Sequence, residues 1–341
     1  MTATRWIIGS VFVLLTALLL GAMIGPAGPV WWRVSLALLD HLPLVSVDSG
    51  VSDAEWNVIW QVRMPRVVLG AIVGATLSLA GASYQGVFRN PLVDPYLLGA
   101  AAGAGLGATL VFTVLRSSAT DWPVDPAPAA AFVVAIATVF LTYIVGASFG
   151  GARTGVTLVL AGVAVTALAT AVQTFLLQRN VDVVREVYSW ILGRLSSAEW
   201  ADVRMVLPYV VVAFVVLLAH RRHLDLFRVG EEEASTLGAP VARVRLVVVA
   251  AATLGTAAVV SVSGLIGFVG IVVPHLVRLL SGASYRRLLP LSLLFGAAFL
   301  VLADIPGRVL TDPAETPIGV VTAFIGAPFL IVVLRARDRQ T

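Results

Sequence analysis

The sequence runs to 341 residues, 59% hydrophobic and 12% charged, with a mean hydropathy of +0.95 and a formal net charge of +4. That is about half the charged share of an ordinary soluble domain, which excludes water as the solvent for most of the chain. All 23 basic residues are arginine and none is cysteine, which excludes the lysine-dependent phosphate loop of an ATPase, disulfides and thiolate chemistry. Apolar runs between charge clusters predict about ten spanning helices, near 6–24, 64–87, 94–115, 128–148, 155–177, 203–220, 246–263, 265–280, 288–307 and 318–334. Each needs about 20 apolar residues to cross about 30 Å of hydrocarbon, where only a helix satisfies its own backbone. The first has the charged start of a signal peptide but is long for one and lacks a clear cleavage site, so a retained helix is expected. Residues 25–62 form the longest polar connection, and Trp31, Trp32, Trp56 and Trp60 within it suit anchoring at the headgroup level, with a partner surface as the alternative. Small residues at helical spacing, Gly70, Gly74 and Gly81 among them, allow close helix packing. The stretch 220–245 alone reads as helix in water: Glu231, Glu232 and Glu233 suit a helix start, and Gly238 followed by Pro240 suits its stop, which predicts a short helix over 230–237. Ser263-Gly264 is either a bend within one long element or a turn between two. One all-α polytopic membrane domain is expected to fill residues 1–341.

Charge then orients the chain. With the N-terminus inside and ten alternating spans, 14 of the 23 arginines fall on inner segments, whose net charge is +8 against −4 outside. Arginine excess marks the cytoplasmic side, so both termini are expected there.

The segment 63–105, RMPRVVLGAIVGATLSLAGASYQGVFRNPLVDPYLLGAAAGAG, carries P-R, a small-residue helix and then Q-x4-N-P-L-x2-P-x2-L-G. With GLIGFVGIVVPHLVR at 264–278, ADIPGR at 303–308 and ETPIGVVTAFIGAPF at 315–329, it resembles the FecCD family of permeases over essentially the whole chain. The resemblance implies a type II ABC importer permease fold with about ten helices, working as a homodimer with a pathway on the two-fold axis. It also implies two cytoplasmic ATPase subunits, which use the ATP, and an extracytoplasmic substrate-binding protein, in a bacterial inner membrane. The cargo implied is an iron-siderophore, haem or cobalamin-type chelate, with family frequency favouring the first two.

Site residues follow from the same resemblance. Arg63, Arg66 and Arg308 match positions that meet glutamates of the binding protein, against the alternative that they only snorkel at helix ends. Glu231, Glu232, Leu237 and Gly238 fall where the family's coupling helices touch the ATPase, whereas Arg243 and Arg245 are read as anchors of the next span. Thr154, Gly155 and Val156 lie where the family narrows its cytoplasmic gate; Gly155 and Val156 stand where the vitamin B12 permease is polar, which weakens that cargo. Gln85 and Asn90, with Pro91, Pro274 and His275, belong to the motifs, the polar pair reading as partners for backbone at a helix end. No paired carboxylates, Ser-His-Asp set or metal cluster stands out, so no catalysis, covalent cofactor, resident metal or nucleic-acid partner is expected. The rival function is an ion-coupled secondary transporter, which calls for ionisable residues near the bilayer midplane, where the predicted spans hold almost none.

Overall fold

The computed structural model describes residues 3–25, 31–41, 48–115, 125–148, 155–310 and 314–338, and among these every regular element is helical. Among the described residues eight helices are long and apolar enough to cross a membrane, and two shorter apolar helices accompany them, matching the ten predicted elements.

Helix α1 (Ala3–Met23) leads to α2 (Trp31–Asp40) and then α3 (Asp53–Val58), which runs through a π-turn at Ile59–Arg63 into α4 (Met64–Val87). The predicted connection 25–62 therefore contains α2 and the first turns of a 35-residue helix, Asp53–Val87, which begins at α3 where Ser52 and Glu55 form a reciprocal capping box. The predicted span 94–115 begins late for a related reason. Asn90 and Asp94 accept from the amides of Leu92 and Tyr96 at 3.0 and 2.9 Å, a pair of turns that holds residues 88–99 out of helix until α5 (Ala100–Leu110) starts after Gly99.

Beyond it come α6 (Pro126–Ser148), α7 (Gly155–Arg179), α8 (Val184–Ile191) and α9 (Trp200–Ala219). The predictions missed α8, an amphipathic helix that buries Val187 and Trp190. Short helices α10 (Arg221–Leu226) and α11 (Glu231–Thr236) precede α12 (Val241–Ser263). The break at Ser263-Gly264 is a true separation, since the chain runs without helix from Gly264 to Phe268 before α13 (Val269–Ser281). Helices α14 (Tyr285–Val309) and α15 (Ile318–Asp338) complete the bundle.

Helices α4 and α12 are buried struts, whereas α1, α7, α9 and α15 present most of their apolar side chains outward. In lipid, helices gain nothing from hiding apolar surface from one another, so close packing must hold them. The small faces of α4 supply it: a Cβ on Gly74 would collide with the Gly296 carbonyl of α14, and one on Gly81 with Gly270 of α13.

Candidate functional site

At one end of the bundle the start of α4, the end of α14 and the segment before α15 bring five charges together. Arg66 grips Asp304 with two parallel bonds, Nε to Oδ2 at 2.8 Å and Nη2 to Oδ1 at 2.9 Å, and its Nη1 reaches both oxygens of Glu315 at 2.9 and 2.8 Å. Arg308, one turn beyond Asp304 on α14, pairs with the same carboxylate through Nε at 2.7 Å. The remaining donors serve α1. Arg308 Nη1 donates to the Gly21 and Ile24 carbonyls at 2.9 and 3.3 Å, and Arg63 Nη1 donates to those of Ala22 and Met23 at 3.3 Å each. These are carbonyls that a helix end leaves unsatisfied, at its negative pole. Arg63, Arg66 and Arg308 are thus all buried, at 6%, 9% and 2% exposure. Sequence reasoning placed the three together and missed the acids that neutralise two of them. The signal was present in ADIPGR and ETPIG, whose acids lie in motifs recognised for other reasons.

Two of the four tryptophans of 25–62, Trp56 and Trp60, form a ladder with His41 and Trp200, while Trp31 and Trp32 stay exposed. His41 stacks on Trp56 at 3.5 Å between centroids, Trp56 on Trp60 at 5.9 Å, and Trp200 Nε1 donates to the Trp60 carbonyl at 2.8 Å. The ladder joins α3 to the start of α9.

At the opposite end, α11 occupies 231–236 within the predicted 230–237. Gly230 admits it with φ +131 and ψ 157, a backbone region open only to glycine. Glu231 is tied to Arg245 of α12, which is 5% exposed, so Arg245 does more than anchor its span. Glu232 and Glu233 stay exposed, as do Leu237 at 65% and Gly238, where an added Cβ would meet nothing. Asp225, to which the sequence reading assigned no role, ties α10 to α14 by accepting from Ser284 Oγ at 2.8 Å and the Tyr285 amide at 2.7 Å.

Of the expected gate, Thr154 lies outside the described residues, Gly155 begins α7, and Val156 is 69% exposed. Gln85 and Asn90 partner backbone as expected: Gln85 Nε2 donates to the Gly270 carbonyl at 3.0 Å while its Oε1 accepts from Arg278, and Asn90 forms the turn already described. Pro91 follows it in that turn, and Pro274 is buried inside α13. The His275 ring meets the Phe329 ring edge-on at 5.6 Å. Among the described residues no group of three His, Asp or Glu side chains could hold a metal ion.

Comparison with known proteins bears on the whole arrangement. The model of the FecCD transport family matches residues 12–336. The chain is 38% identical to the cobalamin import system permease protein BtuC of Halobacterium salinarum, over 98% of this chain and 97% of that one. It is 37% identical to the hemin transport system permease protein HmuU of Yersinia pestis, over 86% and 88% of the two chains. Against the Fe(3+) dicitrate transport system permease protein FecD of Escherichia coli the identity is 34%, over 90% and 91%. Its fold is similar to a solved metal-chelate type ABC transporter in an inward-facing conformation, with a TM-score of 0.82 over 98% of this chain and 99% of that one, at 28% identity.

Proposed function

This chain belongs to the FecCD transport family, and on that premise we propose that it carries a metal chelate into the cytoplasm through a pathway made with a second copy of itself. It is a multi-pass membrane protein, the permease of an ABC importer. The observation that carries the reading is the structural match over 98% of this chain and 99% of the solved metal-chelate type transporter. Its named relatives carry cobalamin, haemin and ferric citrate, which share one chemistry, a metal held by an organic chelator. The cargo proposed here is of that class, an iron-siderophore, haem or cobalamin-type chelate.

The division of labour follows from what the chain contains. With no lysine it has no phosphate-loop site of its own, and in this reading two cytoplasmic ATPase subunits hydrolyse the ATP while this chain serves as the transport subunit. Helix α11 is the surface that meets them. Glu232, Leu237 and Gly238 are the exposed contacts, while Glu231 acts through Arg245, passing a push on α11 into the buried strut α12. Gly155 and Val156, at the start of α7 on the same side, narrow the exit together with Thr154, the residue before them in the sequence. Both termini lie on this cytoplasmic side, the side of arginine excess.

The cluster of Arg63, Arg66 and Arg308 receives the substrate-binding protein, whose acids compete with Glu315 for Arg66. Support comes from position: Glu315, with 30% of its side chain exposed, forms the open edge of the cluster. Asp304 and its arginines sit toward helix ends and pair with one another, an arrangement that gives no support to proton or sodium coupling.

The test is reconstitution of the permease with its cognate ATPase in proteoliposomes, titrated with binding protein loaded with ferric siderophore, haem or cobalamin. ATP hydrolysis stimulated by one loaded form is expected and names the cargo. Uptake that persists without the ATPase subunit, driven by an ion gradient, would overturn the importer.

A further inference from the structure

At the α11 end of the bundle, the ends of α4, α13 and α15, the start of α14 and the turn before α11 enclose a cavity of about 370 Å³. Three arginines line it, Arg89, Arg228 and Arg278, and no Asp or Glu does among the described residues. Their local compensation is incomplete. Arg278 Nη2 donates to Gln85 Oε1 at 2.8 Å and the guanidinium also interacts with the Tyr285 hydroxyl, but Nη1, shielded from solvent, has no partner in hydrogen-bond geometry among the described residues. A buried donor left unsatisfied is a standing cost that an incoming acceptor removes. Arg228 lies 3.9 Å from Asp225, whose oxygens are already engaged by Ser284, the Tyr285 amide and Arg286. Arg89 holds φ +52, a left-handed conformation unusual for a residue with a side chain.

The other wall is apolar. Leu92, Val333 and Leu334 line the same cavity, with Leu92 and Leu334 37% and 43% exposed. Leu334 sits on α15, a perimeter helix whose outward side chains face the surroundings of the bundle. A ligand that fits both walls has an anionic head and an apolar body. Basic pockets between spanning helices at the cytoplasmic side are suited to phospholipid head groups. We propose that this cavity holds the phosphate of an anionic phospholipid, with Arg278 Nη1 and Arg228 as donors and the acyl chains lying along Leu92, Val333 and Leu334. A bound lipid of this kind would bridge α4, α13 and α15 beside the turn that leads into α11.

The experiment uses the full-length permease in detergent and reads bound lipid by native mass spectrometry, so it depends on neither cargo nor transport. Phosphatidylglycerol, phosphatidylcholine and inorganic phosphate are titrated against the wild type, Arg278→Gln and Arg228→Gln. Arg228 has half its side chain exposed, so its variant folds even where Arg278→Gln does not. The wild type is expected to prefer phosphatidylglycerol, and removing either arginine to weaken it by about fivefold. Equal binding of the two lipids, or unchanged affinity in Arg228→Gln and in any Arg278→Gln that folds, overturns the proposal. Displacement of phosphatidylglycerol by inorganic phosphate overturns the lipid and assigns a free anion. Lipid retained in Arg228→Gln together with weakened ATPase association overturns it in favour of a partner carboxylate.

Discussion

Asp304 is the residue on which the charged cluster turns, because one carboxylate, 3% exposed, accepts from both Arg66 and Arg308. Breaking a buried pair from one side leaves an uncompensated charge, a loss of about 3–5 kcal/mol. Asp304→Asn is therefore expected to lower the thermal unfolding midpoint in detergent by many degrees, and a variant as stable as wild type would show the network to be dispensable. Glu315 differs in its solvent exposure, and screening there reduces the loss in Glu315→Gln to about 1 kcal/mol or less. Its informative readout is docking. With its carboxylate gone, Arg66 Nη1 is released from an ionic partner, so affinity for the binding protein is expected to rise and its salt dependence to steepen. An affinity that falls or does not move would separate Arg66 from docking. Charge reversal at Arg66 is the poorer test, since it also breaks the pair with Asp304.

Among the elements, α4 is held by contacts that tolerate no side chain at two glycines. Gly81→Ala places a methyl against the backbone of Gly270 on α13, with little room for either helix to yield. Such overpacking costs about 1–3 kcal/mol or more. Gly9→Ala on α1 meets nothing within 4 Å and is expected to stay within about 0.5 kcal/mol of wild type. Thermal unfolding of the two variants side by side checks the contrast, and equal midpoints would show that the helices can separate at little cost. At α11, Leu237→Ser removes a side chain that is 65% exposed and holds nothing inside the chain. Unfolding is expected to be unchanged while ATPase association and stimulation fall; intact coupling would place the contact elsewhere.

For the molecule as a whole, the unsatisfied feature is the apolar face of α15, where Phe324 is 76% and Val332 65% exposed, with α7 similarly open along Leu160, Val163 and Leu168. Either lipid or a second copy covers these faces. The chain has no cysteine, so Phe324→Cys introduces its only thiol and reports on the partner directly. Oxidation in native membranes is expected to link two copies into a dimer. A thiol that stays monomeric under conditions that oxidise a solvent-exposed control would exclude α15 from the two-fold contact.

The ten apolar elements were legible in the sequence because lipid imposes a local demand, a run of apolar residues long enough to cross and a helix to satisfy its own backbone. The family motifs were legible for the same local reason: spacing along the chain carries them. The start of α3 and the late start of α5 depend on caps and turns, such as those of Ser52 and Asp94, whose side chains compete with the expected pattern over two or three residues. The charged cluster lay further out of reach. Arg66 meets Asp304 across 238 positions, and Glu315 across 249, so no window along the sequence contains both partners. The sequence alone determined where the chain can enter a membrane and which residue types stand at its ends. Packing decided which of those charges face one another, because only the close approach of α1, α4 and α14 brings their ends together.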